Sequence, residues 1–200
     1  MLYKTLDSKL NPLRETNYSY LRLFSYSALA FIIAIIIGII FNQYIAEFAF
    51  EYMLLPILTM FGKVLDIFDN SIILMLMIFF KNCLAIILCI YLARRTRGIS
   101  IALVLGMNGV IIGSILMACY LLDMSLALIL VGIMPHGIFE FTGVFLGASY
   151  GLKLLFAKEE EINKYNIEVK NKVIKILVPL LFVSAFVEAY ITPVFMNMAG

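Results

Sequence analysis

Six polar or ionisable side chains stand inside long apolar runs of this 200-residue chain: Lys81, Asn82, Asn108, His136, Glu140 and Glu188. A charged or strongly polar group costs about 2.5–3.5 kcal/mol at the centre of an apolar membrane helix, so each calls for a partner. His136 and Glu140 are spaced i, i+4, one turn apart on a helix, and Glu188 arrives from a different run. An imidazole and two carboxylates could ligate a divalent metal such as zinc or manganese. They could equally pass protons or hold another cation, because a carboxylate in apolar surroundings gives up its charge readily. Against an enzyme stand a single histidine, no His-Glu-x-x-His and no Gly-x-Ser-x-Gly elbow. Asp66, Asp69 and Asp123 lie outside the apolar runs, so no catalytic residue is assigned. Asn82 and Asn108 are as well explained by hydrogen bonds between helices. Two carboxylates are more than packing needs; Lys81 could be the counter-charge to one of them or extend along its helix toward an interface.

The composition says what must position these groups. Apolar residues make up 64% and charged residues 14%, with a mean hydropathy of +1.03, whereas a soluble surface needs roughly 25% charged residues. A net charge of +2, with no basic run interleaved with aromatics, excludes a nucleic-acid-binding face. Cys83, Cys89 and Cys119 all lie in apolar runs and are odd in number, so they are packing residues and not a disulfide framework. The expected fold is all-α, a single integral membrane domain over residues 1–200 and a polytopic transmembrane helix bundle.

About 20 apolar residues cross a bilayer, and five runs meet that length: 21–41, 71–93, 99–121, 125–156 and 173–196. The fourth is too long for a simple crossing and contains Pro135 and Gly137, which predicts a kinked or broken helix. The first is expected to stay as a span, since its apolar core exceeds that of a secretory signal. Residues 42–70 interrupt apolar patches with Glu47, Glu51, Pro56 and Lys63 and are read as an amphipathic outer segment at the interface. Residues 157–175 mix both charge signs at helical spacing and should carry a helix into water before the fifth span.

Basic residues orient the bundle. Lys4, Lys9, Arg14 and Arg22 precede or open the first span, Arg94, Arg95 and Arg97 join the second to the third, and six lysines from Lys153 to Lys175 join the fourth to the fifth. The intervening segments hold Lys63 alone and Asp123 alone as their basic and acidic markers, respectively, beside a few further acids in 42–70. The reading is a multi-pass cell-membrane protein with the N-terminus cytoplasmic and the C-terminus outside. In that arrangement Asn82, Asn108, His136 and Glu188 fall within about one to two turns of the same depth, as one buried polar cluster requires. Gly143, Gly147 and Gly151 continue the stripe of His136 and Glu140, and Gly109 and Gly113, with Gly106, make a second small-residue surface. Both are helix-packing seams, within the chain or across a homodimer.

The string MPHGIFEFTGVFLGASYGLKL, with FFKNCLA around Asn82, MNGVIIG around Asn108 and SAFVEAYITP around Glu188, resembles the stage II sporulation protein M family of integral membrane proteins. The resemblance runs from about Phe79 to Pro193. It implies a membrane anchor for a peptidoglycan-degrading machine in spore formers, although similar proteins occur in organisms that make no spores. Phe141, Thr142 and Gly143 depart from the apolar residue, Pro and small residue expected there. Three functions follow. The leading one is a membrane scaffold or assembly component, with the lipid bilayer, a second copy and membrane or cell-wall-remodelling proteins as partners. The alternatives are a transporter or ion- or proton-binding protein using the intramembrane carboxylates, and an intramembrane metal-dependent hydrolase, the least favoured.

The orientation is tested by single cysteines in a background lacking the native three. A membrane-impermeant thiol reagent applied to intact cells should label positions 66 and 123 and spare 95 and 160. Labelling at 95 would invert the assignment.

Overall fold

The computed structural model describes residues 19–42, 44, 71–121 and 123–199, and among them every regular element is helical. Four long helices come first: α1 (Tyr20–Ile40), α2 (Ser71–Tyr91), α3 (Ile99–Leu121) and α4 (Leu126–Phe156). After a 3-10 turn at Glu159–Glu161, the chain continues as α5 (Ile162–Lys172), α6 (Val178–Phe186) and α7 (Thr192–Ala199). Two π-helical segments, Val173–Leu177 and Val187–Ile191, join these three into one rod. Among the described residues five helical stretches are long and apolar enough to cross a membrane, the fifth running Glu159–Phe195. The expected amphipathic segment at 42–70 lies outside the described residues, apart from Asn42 and Tyr44.

Of the kinked or broken helix expected for the fourth span, the break is corrected. α4 is one unbroken helix of 31 residues with Pro135 inside it, about 46 Å long at 1.5 Å per residue against some 30 Å of hydrocarbon. Its C-terminal end reaches the interfacial charges. There Lys153 lies 5.0 Å from the Tyr165 ring, and Arg94 donates to the Leu154 and Ala157 carbonyls at 3.2 and 3.3 Å. Those carbonyls have no partner within the helix, so the guanidinium caps the end of α4 and complements its dipole. Arg94 also pairs with Glu159. A basic residue of the second loop thereby ties two segments together that the charge pattern places on the same side of the membrane.

The prolines act further along, in the fifth span. Each π segment ends two residues before a proline, Pro179 or Pro193. A proline cannot donate to the carbonyl four residues back and its ring crowds that carbonyl. The chain widens by one turn instead: Val178 N–H bonds the Val173 carbonyl and Thr192 N–H bonds the Val187 carbonyl. Such π turns absorb an extra residue without ending the helix.

The bundle is held by close backbone approach. A Cβ on Gly38 would collide with the Val110 carbonyl, and one on Gly113 with the Ile35 carbonyl. At Gly109 it would lie 2.6 Å from the Ala34 Cβ. These contacts join α1 and α3 in parallel, and Ser114 donates across them to the Gly38 carbonyl at 3.3 Å. On α4, a Cβ on Gly151 would strike the Cys89 carbonyl of α2, while at Gly147 and Gly143 the neighbours are the Ile86 and Leu181 side chains, at 3.1 and 2.9 Å. Gly106 has nothing within 4 Å. Van der Waals contact and interhelical hydrogen bonds hold helices together where lipid is as apolar as leucine, and only glycine permits this separation. The outer faces carry the exposed apolar side chains, among them Ile32, Ile36, Phe80, Leu84 and Leu103.

Gly113→Ala and Gly151→Ala should each force a helix pair apart and lower the thermal unfolding midpoint in detergent. Gly106→Ala should not. Equal effects at all three positions would show that glycine conformation, and not close approach, is what matters.

Candidate functional site

α4 presents His136 and Glu140 one turn apart, and the rod formed by α6 and α7 runs beside it in the opposite direction, with Gly143 facing Leu181 and His136 facing Thr192. The second π segment carries Glu188. One ligand atom each from His136, Glu140 and Glu188 lie within 4.8 Å of one another. α2 adds a cation: Lys81 Nζ donates to Glu140 Oε1 at 3.3 Å. The Glu140 carboxylate is almost covered, with 11% of its side chain exposed, whereas the Lys81 side chain is 61% exposed. Lys81 therefore reaches the acid from the edge of the bundle.

His136 is held at two points by the rod. Ser184 Oγ donates to its backbone carbonyl at 3.2 Å, and its Nδ1 lies 3.2 Å from Thr192 Oγ1. A hydroxyl partner at Nδ1 leaves Nε2 as the ring nitrogen open to a further ligand. Glu188 Oε2 is shut off from the surface and has no hydrogen-bond partner among the described residues. A buried carboxylate oxygen without a donor is costly.

The two asparagines take different places. Asn82 is buried, 1% exposed, with an Nδ2 that has no hydrogen-bond partner among the described residues. Asn108 is not drawn to the carboxylates: its Nδ2 turns back to the Val104 carbonyl on its own helix at 2.7 Å. It lines a cavity of about 460 Å³ between α2 and α3, and Lys81 lines the same cavity. Depth alone had suggested that Asn108 would support the trio; its facing on α3 directs it to this groove instead. Ser184 and Thr192 stand four residues before and after Glu188, a spacing that is in the sequence itself. The clamp made by Arg94 on the end of α4 had only the charge pattern of the loop to announce it.

Helices that span a bilayer, enclosing ionisable groups and presenting apolar faces outward, define a polytopic integral membrane protein. Residues 27–193 match the Stage II sporulation protein M family. The chain belongs to that family. It is also 32% identical over 120 residues, covering 56% of this chain and 67% of the other, to an uncharacterized protein of Methanocaldococcus jannaschii. No solved structure matches the chain.

His136→Leu removes the contact to Thr192 and leaves two carboxylates with one fewer polar neighbour. It should cost about 1–3 kcal/mol, the usual range for stranding a buried polar group. Glu188→Gln keeps the shape and supplies a donor, so it should unfold at or above the wild-type temperature. Chemical denaturation in mixed micelles measures both; a neutral His136→Leu would mean that the imidazole has no energetic part in the trio.

Proposed function

We propose that this chain is a membrane scaffold or assembly component, a platform on which other membrane or envelope-remodelling proteins collect. The observation that supports it is the backbone-level locking of the spans, α1 to α3 at Gly38 and Gly113 and α2 to α4 at Gly151. A transporter of alternating access must let helices part and re-form. Pairs whose backbones touch, with no side chain between them, resist such movement and suit a fixed support. Family membership agrees with this reading, since the family's name ties it to the second stage of sporulation; the platform reading itself does not depend on spore formation. The cytoplasmic N-terminus and the outside C-terminus belong to the same proposal, as does a second copy as partner.

The test is recovery from native membranes. Crosslinked in place and extracted in a mild detergent, the chain should bring down a reproducible set of membrane or wall-active proteins in fixed ratio. The set should be lost when the exposed apolar faces of α2 or α3 are altered. A chain that stays alone or purely homomeric in every gentle detergent would remove the scaffold reading.

A further inference from the structure

We propose that His136, Glu140 and Glu188 form a binding site for a divalent first-row transition metal, and that Lys81 is the built-in cation the metal displaces. Three observations point the same way. The three ligand atoms lie within 4.8 Å of one another, so the widest gap has to close by no more than about 1.4 Å to reach the roughly 3.4 Å spacing that tetrahedral coordination at about 2.0–2.1 Å demands. The nitrogen Nδ1 of His136 is held by the Thr192 hydroxyl, the kind of outer contact that orients a ligating imidazole and leaves its other nitrogen to the metal. Glu188 Oε2 has neither solvent nor a hydrogen-bond partner among the described residues, so this carboxylate carries an oxygen whose need for a positive partner is unmet.

Charge explains Lys81. Its single ammonium can offset one of the two carboxylates, whereas one divalent ion offsets both. An ammonium and a divalent ion cannot both stay beside Glu140 without mutual repulsion, which is strong where water is scarce. The side chain of Lys81 is the one member of the group that is mostly exposed. It borders the largely apolar cavity between α2 and α3 that Asn108 also lines, which gives the displaced side chain room to swing away from Glu140. Three protein ligands leave a coordination position open, and a mix of imidazole and carboxylates suits zinc or manganese.

This site does not depend on the scaffold reading, and its test is independent of any partner. Tag-free protein in lipid nanodiscs, stripped with chelator, is dialysed against zinc chloride or, separately, manganese chloride, and metal per chain and unfolding temperature are measured. Wild type should bind about one ion per chain and unfold at a higher temperature with it. E188Q, which keeps the fold, should lose at least about tenfold in affinity and show no thermal gain. K81M should bind about tenfold or more tightly than wild type, because the competing charge is gone. Its stability should fall without metal and recover with it. Saturable binding absent from both wild type and K81M overturns the site. Binding unchanged in E188Q assigns the metal elsewhere, and K81M binding no tighter than wild type overturns the exchange.

Discussion

Everything in this molecule follows from the scarcity of water around it. In hydrocarbon a backbone or side-chain polar group has only protein to bond with, so the helices are long, their outer faces are apolar, and whatever is polar is turned inward or spent on its own helix. Serine hydroxyls show the second choice: Ser27 bonds the Leu23 carbonyl at 3.0 Å and Ser149 bonds the Phe145 carbonyl at 2.6 Å, each one turn back. The acid, the imidazole and the ammonium cannot be satisfied that way. They meet at the junction of α2, α4 and the α6–α7 rod, the place where three helices can each contribute a group.

That same constraint gives the glycines their role. With no hydrophobic force drawing one helix to another in lipid, stability comes from contact area and interhelical hydrogen bonds. α1 and α3 touch along Gly38, Gly109 and Gly113, and α2 touches α4 at Gly151. The close approach of α2 to α4 where Gly151 meets Cys89 also fixes the height of Lys81, eight residues earlier on α2. The ion pair with Glu140 thus rests on a glycine contact roughly two to three turns away.

Much of this was legible in the sequence because membrane helices are written in long, clean runs. Five membrane-length helical stretches could be read, the first three with limits within two residues of α1 to α3, although the fifth stretch begins at Glu159 and not at 173; the i, i+4 spacing of His136 and Glu140 placed them on one face. Facing was the weak point. Depth put Asn108 level with the carboxylates, but α3 turns it to the groove beside Lys81, and no spacing rule fixes the rotation of one helix against another. Pro135 read as a kink or a break; α4 carries it without a break. Where proline did reshape the chain, before Pro179 and Pro193, the outcome was a widened turn and not an end.

The second widened turn accounts for how the fifth span meets His136 twice. Ser184 and Thr192 are eight residues apart, which on an ideal α-helix turns them about 80° away from each other at about 100° per residue. Both nevertheless face His136, one at its carbonyl and one at its ring. A π turn inserts about one residue beyond the α repeat, so the pair behaves as if seven residues apart and returns to within about 20° of a common face. The order is also right for antiparallel neighbours: the carbonyl of His136 points toward the C-terminal end of α4, where Ser184 lies, and its side chain leans back toward the N-terminal end, where Thr192 lies. Glu188 falls between the two, inside the widened segment. Pro193, by forbidding the regular hydrogen bond to Ala189, is therefore the residue that aligns hydroxyl, carboxylate and hydroxyl on the side of the rod that His136 occupies.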